Sequence, residues 1–383
     1  MSEFLFLTHS AAPAGAELSL LRLAAALNTD AEVIFTADGP MVQRFQAAGI
    51  RVQVVAGNSG SARLHRGRVG PVTAVRAAGD LLQTGWKVGE KARQANIRVV
   101  VARSTKALLI GWVASRRARV PLVWSIHDHV SRKYFGRLTA LLIRTLGRLL
   151  ASGYIANSSS TLETVWTGKK PTVVVPPGLV LTHTRQKSFL TARHSELFDF
   201  VSVGRIAPWK GQDIFIRAFA KVFADNPNVR ATIVGGPLFG EIDYETSLKS
   251  LVSRLGIEGS VTFTGHVDDV YPFLDSADVL VHCSVLPEPF GSVIIEGMAT
   301  GCAVIATNAG GPAEVITAGV DGLLVPCGDD EALAATLKQL ATDSDLCAKL
   351  IGNGLLRARD FDIEVLATRT SDWLNRLTWD VKR

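Results

Sequence analysis

The stretch FVSVGRIAPWKGQDIFIRAF, Phe200 to Phe219, decides the fold. It opens as an apolar β-run that stops at Gly204-Arg205. A short loop then ends in Lys210-Gly211, and helical spacing of apolar residues holds from Asp213 to Phe223. A near-continuous apolar strand that passes through a glycine-bearing loop into an amphipathic helix is one βα unit. The same rhythm runs outward in both directions. FDFVSVGR is followed by RATIVGG, VTFTG, VLVHCS, AVIATN and GLLVPCG, with helical segments such as Glu331–Ala341 between them. Before it stand FLFLTH, AEVIFTA, RVQVVA, IRVVVAR, PLVWSIHD, GYIANS and TVVVPPG. Strands this apolar, alternating with helices, build parallel sheets covered on both faces. Two doubly wound α/β domains in tandem follow, and 383 residues with 47% hydrophobic content is ample for two cores.

The break is placed after Pro176-Pro177-Gly178, with the polar, basic segment Thr182 to His194 as hinge. This gives domains at 1–180 and 181–360 and a terminal helical segment at 361–383, whose apolar side carries Trp373 and Leu377. Residues 1–180 hold 23 Lys and Arg against 9 Asp and Glu, and the remainder holds 18 against 26. The halves are therefore +14 and −8, so the first suits an anionic partner or simply complements the second. MSEFLFLTHSAAPAG reads as a first strand rather than a signal peptide, and no apolar run is long enough to span a bilayer. The cysteines Cys283, Cys302, Cys327 and Cys347 form no close pair, which excludes a CxxC site and fits reduced thiols in a cytoplasmic protein.

Ligands in open α/β sheets bind at the carboxyl ends of the strands, so the loops there are the candidates. The first loop, Ser10 to Glu17, offers Gly15 for close backbone approach, or is a plain turn; it is not GxGxxG, and a nicotinamide fingerprint is absent. Arg205 and Lys210 flank a helix N-terminus, where guanidinium, ammonium and free N–H groups make an anion site. PEPFGSVIIEGMATG, Pro287 to Gly301, sets Glu296 among apolar residues and Glu288 between prolines. Carboxylates at this spacing suit the vicinal hydroxyls of a ribose and a sugar; helix-face and loop charges are the alternative. His127, ending PLVWSIHD, is read as a hydrogen-bond donor or a strand-end histidine, and His282, inside VLVHCS, as a core position with a satisfied ring. Asp343-Ser344-Asp345 and Asp360-Phe361-Asp362 lie between late helices and read as caps or loop charges, not metal ligands. Tyr134–Ala151 sets Arg137, Arg144 and Arg148 opposite leucines. It reads as a core-facing helix with a basic edge, the other option being an anionic bilayer surface. The loop Arg63 to Arg68 is the better candidate for a phosphate-bearing acceptor or lipid headgroups.

Glu288-x7-Glu296 with PFG between, the GR…KG loop, GGP at Gly235 to Pro237, TGHV at Thr264 to Val267 and AVIATNAGGPAEVI followed by GLLVP resemble the EX7E retaining glycosyltransferases of the GT4 type. GAE at Gly15 to Glu17, SIHDH and IANS extend the likeness into the first half. The resemblance implies the GT-B fold, two Rossmann-like domains facing each other across a cleft, with the acceptor half first and the last helix crossing back to it. It implies that Arg205 and Lys210 hold the donor diphosphate and that Gly15 approaches it from the other domain. Glu296 would take the ribose hydroxyls and Glu288 the transferred sugar. Phe290, Gly291, Ser292 and Val293 would lie beside sugar and phosphate, Gly236, His266 and Val267 near the donor nucleotide, and His127 by the reacting sugar.

The expected function is retaining transfer from a nucleotide-sugar, UDP-linked by preference, to a glycan, lipid-linked or small-molecule acceptor. Polysaccharide, glycolipid or glycosylated-metabolite biosynthesis would be the setting. No metal or other cofactor and no nucleic-acid partner is expected, with peripheral contact at the inner face of a membrane an option for the basic half. The alternative is a noncatalytic sugar-nucleotide-binding or nucleic-acid-binding protein using that half, although no aromatic residues interleave with its Lys and Arg.

Overall fold

The computed structural model describes residues 3–57, 71–181, 197–238 and 240–381. The loop Arg63 to Arg68 and the hinge Thr182 to His194 lie outside them. The chain divides into two compact units, residues 1–178 with 363–383, and residues 179–362.

Each apolar run of the sequence becomes a strand. The first unit contains β1 (Phe4–Thr8), β2 (Ala31–Phe35), β3 (Arg51–Val54), β4 (Val99–Ala102), β5 (Leu122–Ile126), β6 (Gly153–Ala156) and β7 (Thr172–Val174), ordered β3-β2-β1-β4-β5-β6-β7. The second contains β8 (Phe198–Val203), β9 (Val229–Val234), β10 (Val261–Gly265), β11 (Val279–His282), β12 (Ala303–Thr307) and β13 (Leu323–Val325), ordered β10-β9-β8-β11-β12-β13. Pairing is parallel throughout both sheets among the described residues. Both are doubly wound sheets in which strand order reverses once, between β1 and β4 and between β8 and β11. Crossover loops diverge at such a point and leave a crevice at the strand ends.

Alternate strand residues feed opposite cores. In the first unit Phe4, Phe6 and Val99 meet the helix Gly15–Leu27 through Leu20 and Ala24, whereas Leu5, Leu7 and Val100 meet the helix Thr105–Ala118 through Leu108 and Ile110. The terminal helix Ile363–Val381 joins the first of these cores through Leu366, Ala367, Leu374 and Leu377. In the second unit Phe200 and Val281 bury against Phe215 and Phe219, while Val201 and Leu280 bury against Ile294 and Met298. Each of the larger side chains, Val, Leu, Ile, Phe and Met, contributes roughly 1.5–3 kcal/mol on full burial, which holds the strand ends, and hence the loops, in register.

One expectation fails. The segment Tyr134–Ala151 is not a core-facing helix with its leucines inward. Gly136, at a positive φ of 77°, separates Arg132–Phe135 from the helix Arg137–Leu150. The protein-facing side of the latter is Ala140, Ile143 and Gly147. A Cβ on Gly147 would stand 2.3 Å from the Trp124 ring, so glycine is what lets the helix settle on that indole. Packing by small residues turns Leu138, Leu141, Leu142 and Leu149 outward. Arg144, expected on the basic edge, turns inward and donates to the Val130 carbonyl from Nε (3.1 Å) and a terminal nitrogen (2.7 Å).

Candidate active site

In the second unit the loops following β8 and β11 face each other at the point of strand reversal. Residues 204–211 leave β8 through the short turn Pro208–Lys210 into the helix Gln212–Phe223. Gly211 is left-handed at φ 71°, and a Cβ there would lie 2.1 Å from the Cys283 carbonyl oxygen just past β11. Only glycine admits this approach. The loops are then laced together: Val285 N donates to Trp209 O (2.9 Å), and Gln212 Nε2 donates to Arg205 O (3.0 Å).

That closeness brings Lys210 onto Glu288. Lys210 Nζ lies 2.7 Å from Glu288 Oε1, while His282 Nε2 (2.5 Å) and Ser284 Oγ (2.8 Å) reach Oε2. The carboxylate is mostly buried, 13% exposed. Burial alone pushes its pKa up, but the Lys210 cation and then His282, each also hydrogen-bonded to it, outweigh burial and hold it well below 4.5. Glu288 is therefore an ionised acid fixed at both oxygens. Its main chain is clasped as well: Gly311 N donates to Glu288 O at 2.8 Å, and a Cβ on Gly310 would come within 2.4 Å of the same oxygen. Those glycines are the AGGP motif seen in sequence.

His282 corrects the reading of a satisfied core histidine. The ring is buried, but Nε2 serves Glu288 and Nδ1 has no partner among the described residues. A carboxylate only accepts, so Nε2 carries the proton in this contact. Trp209 is a second residue that motif reading passed over. Its indole packs against both cations, with the ring centroid 4.5 Å from Lys210 Nζ and 5.6 Å from the Arg205 guanidinium carbon. Arg205 also stands 3.8 Å from Glu241.

The other candidates occupy neighbouring strand ends. Gly291 is left-handed at φ 87° and opens the helix Ser292–Thr300, whose first turn holds Ser292 and Val293 and whose fifth residue is the half-buried Glu296. The Phe290 ring is buried edge-on against Phe361 at 5.8 Å, so only its backbone faces the loop. Gly236 accepts from Ile206 N at 3.0 Å, and a Cβ there would meet His266 N at 3.1 Å, which stacks the β8, β9 and β10 loops in order. The His266 side chain is 69% exposed, and Val267 packs against the core beneath. Asp343 caps the helix Ser344–Ala358 through Leu346 N (2.9 Å), and Asp360 pairs with Arg357 (2.8 Å). No group of three or more His, Cys, Asp or Glu able to hold a metal occurs among the described residues.

The first unit carries a separate constellation. Gly15 begins the helix Gly15–Leu27, with open space where a Cβ would be. His127 follows β5. Its Nε2 is 2.9 Å from Ser125 Oγ, and its carbonyl accepts from Asn157 Nδ2 at 3.3 Å. Burial, then the Arg103 charge, keeps the imidazole well below 6.5 and neutral. Arg103, which sequence reading missed, directly follows β4 at the strand reversal. It is 8% exposed and donates to Ala16 O (2.9 Å) and Ser19 Oγ (3.0 Å). Burial brings its pKa down to about 10, against the opposing pull of Glu17. Arg103, Ser125 and His127 line a shallow recess with Ser19, Ile155 and Thr370. The final Arg of IRVVVAR was the available signal.

Known proteins share this organisation. The family model for group 1 glycosyl transferases matches residues 185–357, and that for glycosyltransferase family 4 matches residues 40–183. Crystalline Anabaena HepE in complex with UDP and glucose is 30% identical with a TM-score of 0.83, over 98% of this chain and 100% of that one. The D-inositol 3-phosphate glycosyltransferase of Streptomyces avermitilis is 29% identical over 287 residues, 69% of this chain and 62% of that protein. The lipopolysaccharide core biosynthesis glycosyltransferase LpsE of Rhizobium meliloti is 35% identical over 154 residues, 40% and 42% of the two chains. The chain spans about 62% of the length of the first curated relatives it matches. With both units matched and a relative covered end to end, this chain belongs to the group 1, family 4 glycosyltransferases of the GT-B fold.

Proposed function

We propose that the chain is a retaining glycosyltransferase that moves a sugar from a UDP-linked donor to a glycan, lipid-linked or small-molecule acceptor. The observation that carries the reading is the loop on which Arg205 and Lys210 both pack against the Trp209 ring beside a helix N-terminus, with the fixed Glu288 carboxylate in contact with Lys210. HepE, with its bound UDP and glucose, supports the same choice of donor.

In the proposed reaction the bond between anomeric carbon and phosphate oxygen breaks, and the acceptor oxygen bonds to that carbon on the same face. The acceptor proton passes to the departing phosphate, which leaves as UDP. Negative charge grows on the diphosphate as the bond lengthens, so Arg205, Lys210 and the helix N–H groups stabilise the transition state. Glu288 accepts a hydrogen bond from a sugar hydroxyl, Glu296 takes the ribose diol, and Gly236, His266 and Val267 border the nucleotide. Neutral His127 can donate to a sugar hydroxyl. In this scheme fixed cations stabilise the leaving group and no metal takes part.

Donor binding is measurable before the acceptor is known. UDP at a hundred times its Kd is expected to stabilise the fold by about 2.7 kcal/mol. Lys210→Ala and Glu296→Ala should each weaken UDP by roughly ten- to a hundredfold, the loss of one charged hydrogen-bonding group. NMR of the transferred sugar should show the donor's anomeric configuration. A thermal shift with single-stranded nucleic acid and none with UDP would overturn the reading.

A further inference from the structure

The helix Arg137–Leu150 exposes Leu138 (82%), Leu141 (50%), Leu142 (57%) and Leu149 (70%) on one side, opposite the buried Ala140, Ile143 and Gly147. Exposed Arg137 and Arg148 border this ridge, and exposed Arg132 and Lys133 precede it. No acidic residue occurs between Asp128 and Glu163, a span with five Lys and Arg. The helix Pro71–Gln94 belongs to the same layer, since its Val88 and Ala92 share a core with Ala140 and Ile143. It adds exposed Leu82 (55%) and Trp86 (58%), with the Arg117 guanidinium 4.6 Å over the Trp86 ring.

We propose that this helical layer docks the protein on an anionic lipid bilayer, the leucines entering the acyl boundary and the basic side chains meeting headgroup phosphates. A ridge of leucines edged by arginine is the pattern of a helix lying in the interface plane. At 14 residues it is about 21 Å long, too short to cross, and no described helix is long and apolar enough to span a membrane. Charge selects the occupant. A second copy would bring a second set of these arginines to the face with no acidic residue between Asp128 and Glu163 to pair them, whereas an anionic surface satisfies them. Docking does not depend on which sugar is transferred.

Co-sedimentation of the full chain with vesicles of equal phosphatidylglycerol and phosphatidylcholine, against phosphatidylcholine alone, tests this. Binding is expected to be at least about tenfold tighter to the anionic vesicles and to weaken with salt. The double variant Leu138→Gln/Leu149→Gln should lose about tenfold on both compositions, and Arg137→Glu/Arg148→Glu should lose the anionic preference. Leu356→Gln, an equally exposed leucine of the second unit, should change nothing. All these positions are exposed, so thermal melting should match the parent. Equal affinity for neutral vesicles, no binding to anionic ones, or self-association abolished by the leucine changes without vesicle binding would each overturn the proposal.

Discussion

Glu288→Ala is expected to cost about 3 kcal/mol of stability and to lower transfer at least about a hundredfold. Removing the carboxylate leaves the Lys210 ammonium, 15% exposed, without the oxygen 2.7 Å away. It also strips His282 Nε2 and Ser284 Oγ of their shared acceptor. Lys210→Ala should cost somewhat less, because His282 and Ser284 still serve the remaining carboxylate. The double variant should then be more stable than the sum of the two losses allows, by about 1–3 kcal/mol, as groups in one network are not additive. Transfer should stay lost in the double variant, since neither the sugar contact nor the diphosphate contact is restored. Urea denaturation and initial rates of donor consumption measure the two separately. Strict additivity of the stabilities would mean that the ion pair does not form.

Acid supplies an independent check on the same carboxylate. Its folded pKa lies well below the ordinary 4.5, so the unfolded chain takes up the proton first on acidification. The stabilisation is therefore complete above 4.5 and is lost as pH falls through the lower folded value. The stability gap between the parent and Glu288→Ala should stay constant above about 4.5 and narrow as pH falls from there through the folded value. A gap independent of pH down to complete acid unfolding would assign the loss to packing rather than charge.

The sequence displays the sheets plainly because a strand buried on both faces must be apolar along its length, and every run noted is a strand, the largely exposed edge strand β3 among them. The site was legible as residues but not as contacts. Lys210 and Glu288 are 78 positions apart, and their meeting depends on β8 and β11 being neighbours, a long-range fact that no local spacing encodes. His282 sits in an apolar strand and so looks like core. What distinguishes it is a carboxylate six residues later that the loop folds back onto it. Arg103 was hidden for a related reason: a single cation after a valine run is unremarkable until the sheet order places it at the strand reversal. The leucine helix shows the limit of periodicity, which finds an amphipathic helix without saying which face is covered. There the small residues Ala140 and Gly147, not the leucines, mark the packed side.

Gly211→Ala should unfold the arrangement from the opposite direction, through one methyl group. The left-handed backbone alone costs an alanine about 1–2 kcal/mol, and the new Cβ would sit 2.1 Å from the Cys283 carbonyl oxygen. That oxygen cannot retreat easily, because Cys283 directly follows β11, held between β8 and β12. The loop must move instead, and it carries Trp209 and Lys210. We expect a total loss of at least about 3 kcal/mol and UDP affinity reduced by at least roughly tenfold, since Lys210 is drawn away from both Glu288 and the diphosphate position. Gly352→Ala is the matched control. It lies exposed inside the helix Ser344–Ala358, where a Cβ meets nothing within 4 Å, so it should gain about 0.5–1 kcal/mol and leave UDP binding unchanged. Calorimetric titration of UDP alongside thermal melting separates the cases. If Gly211→Ala binds UDP as the parent does while losing stability, the Lys210 loop is not what grips the nucleotide, and the phosphate role must pass to Arg205 alone.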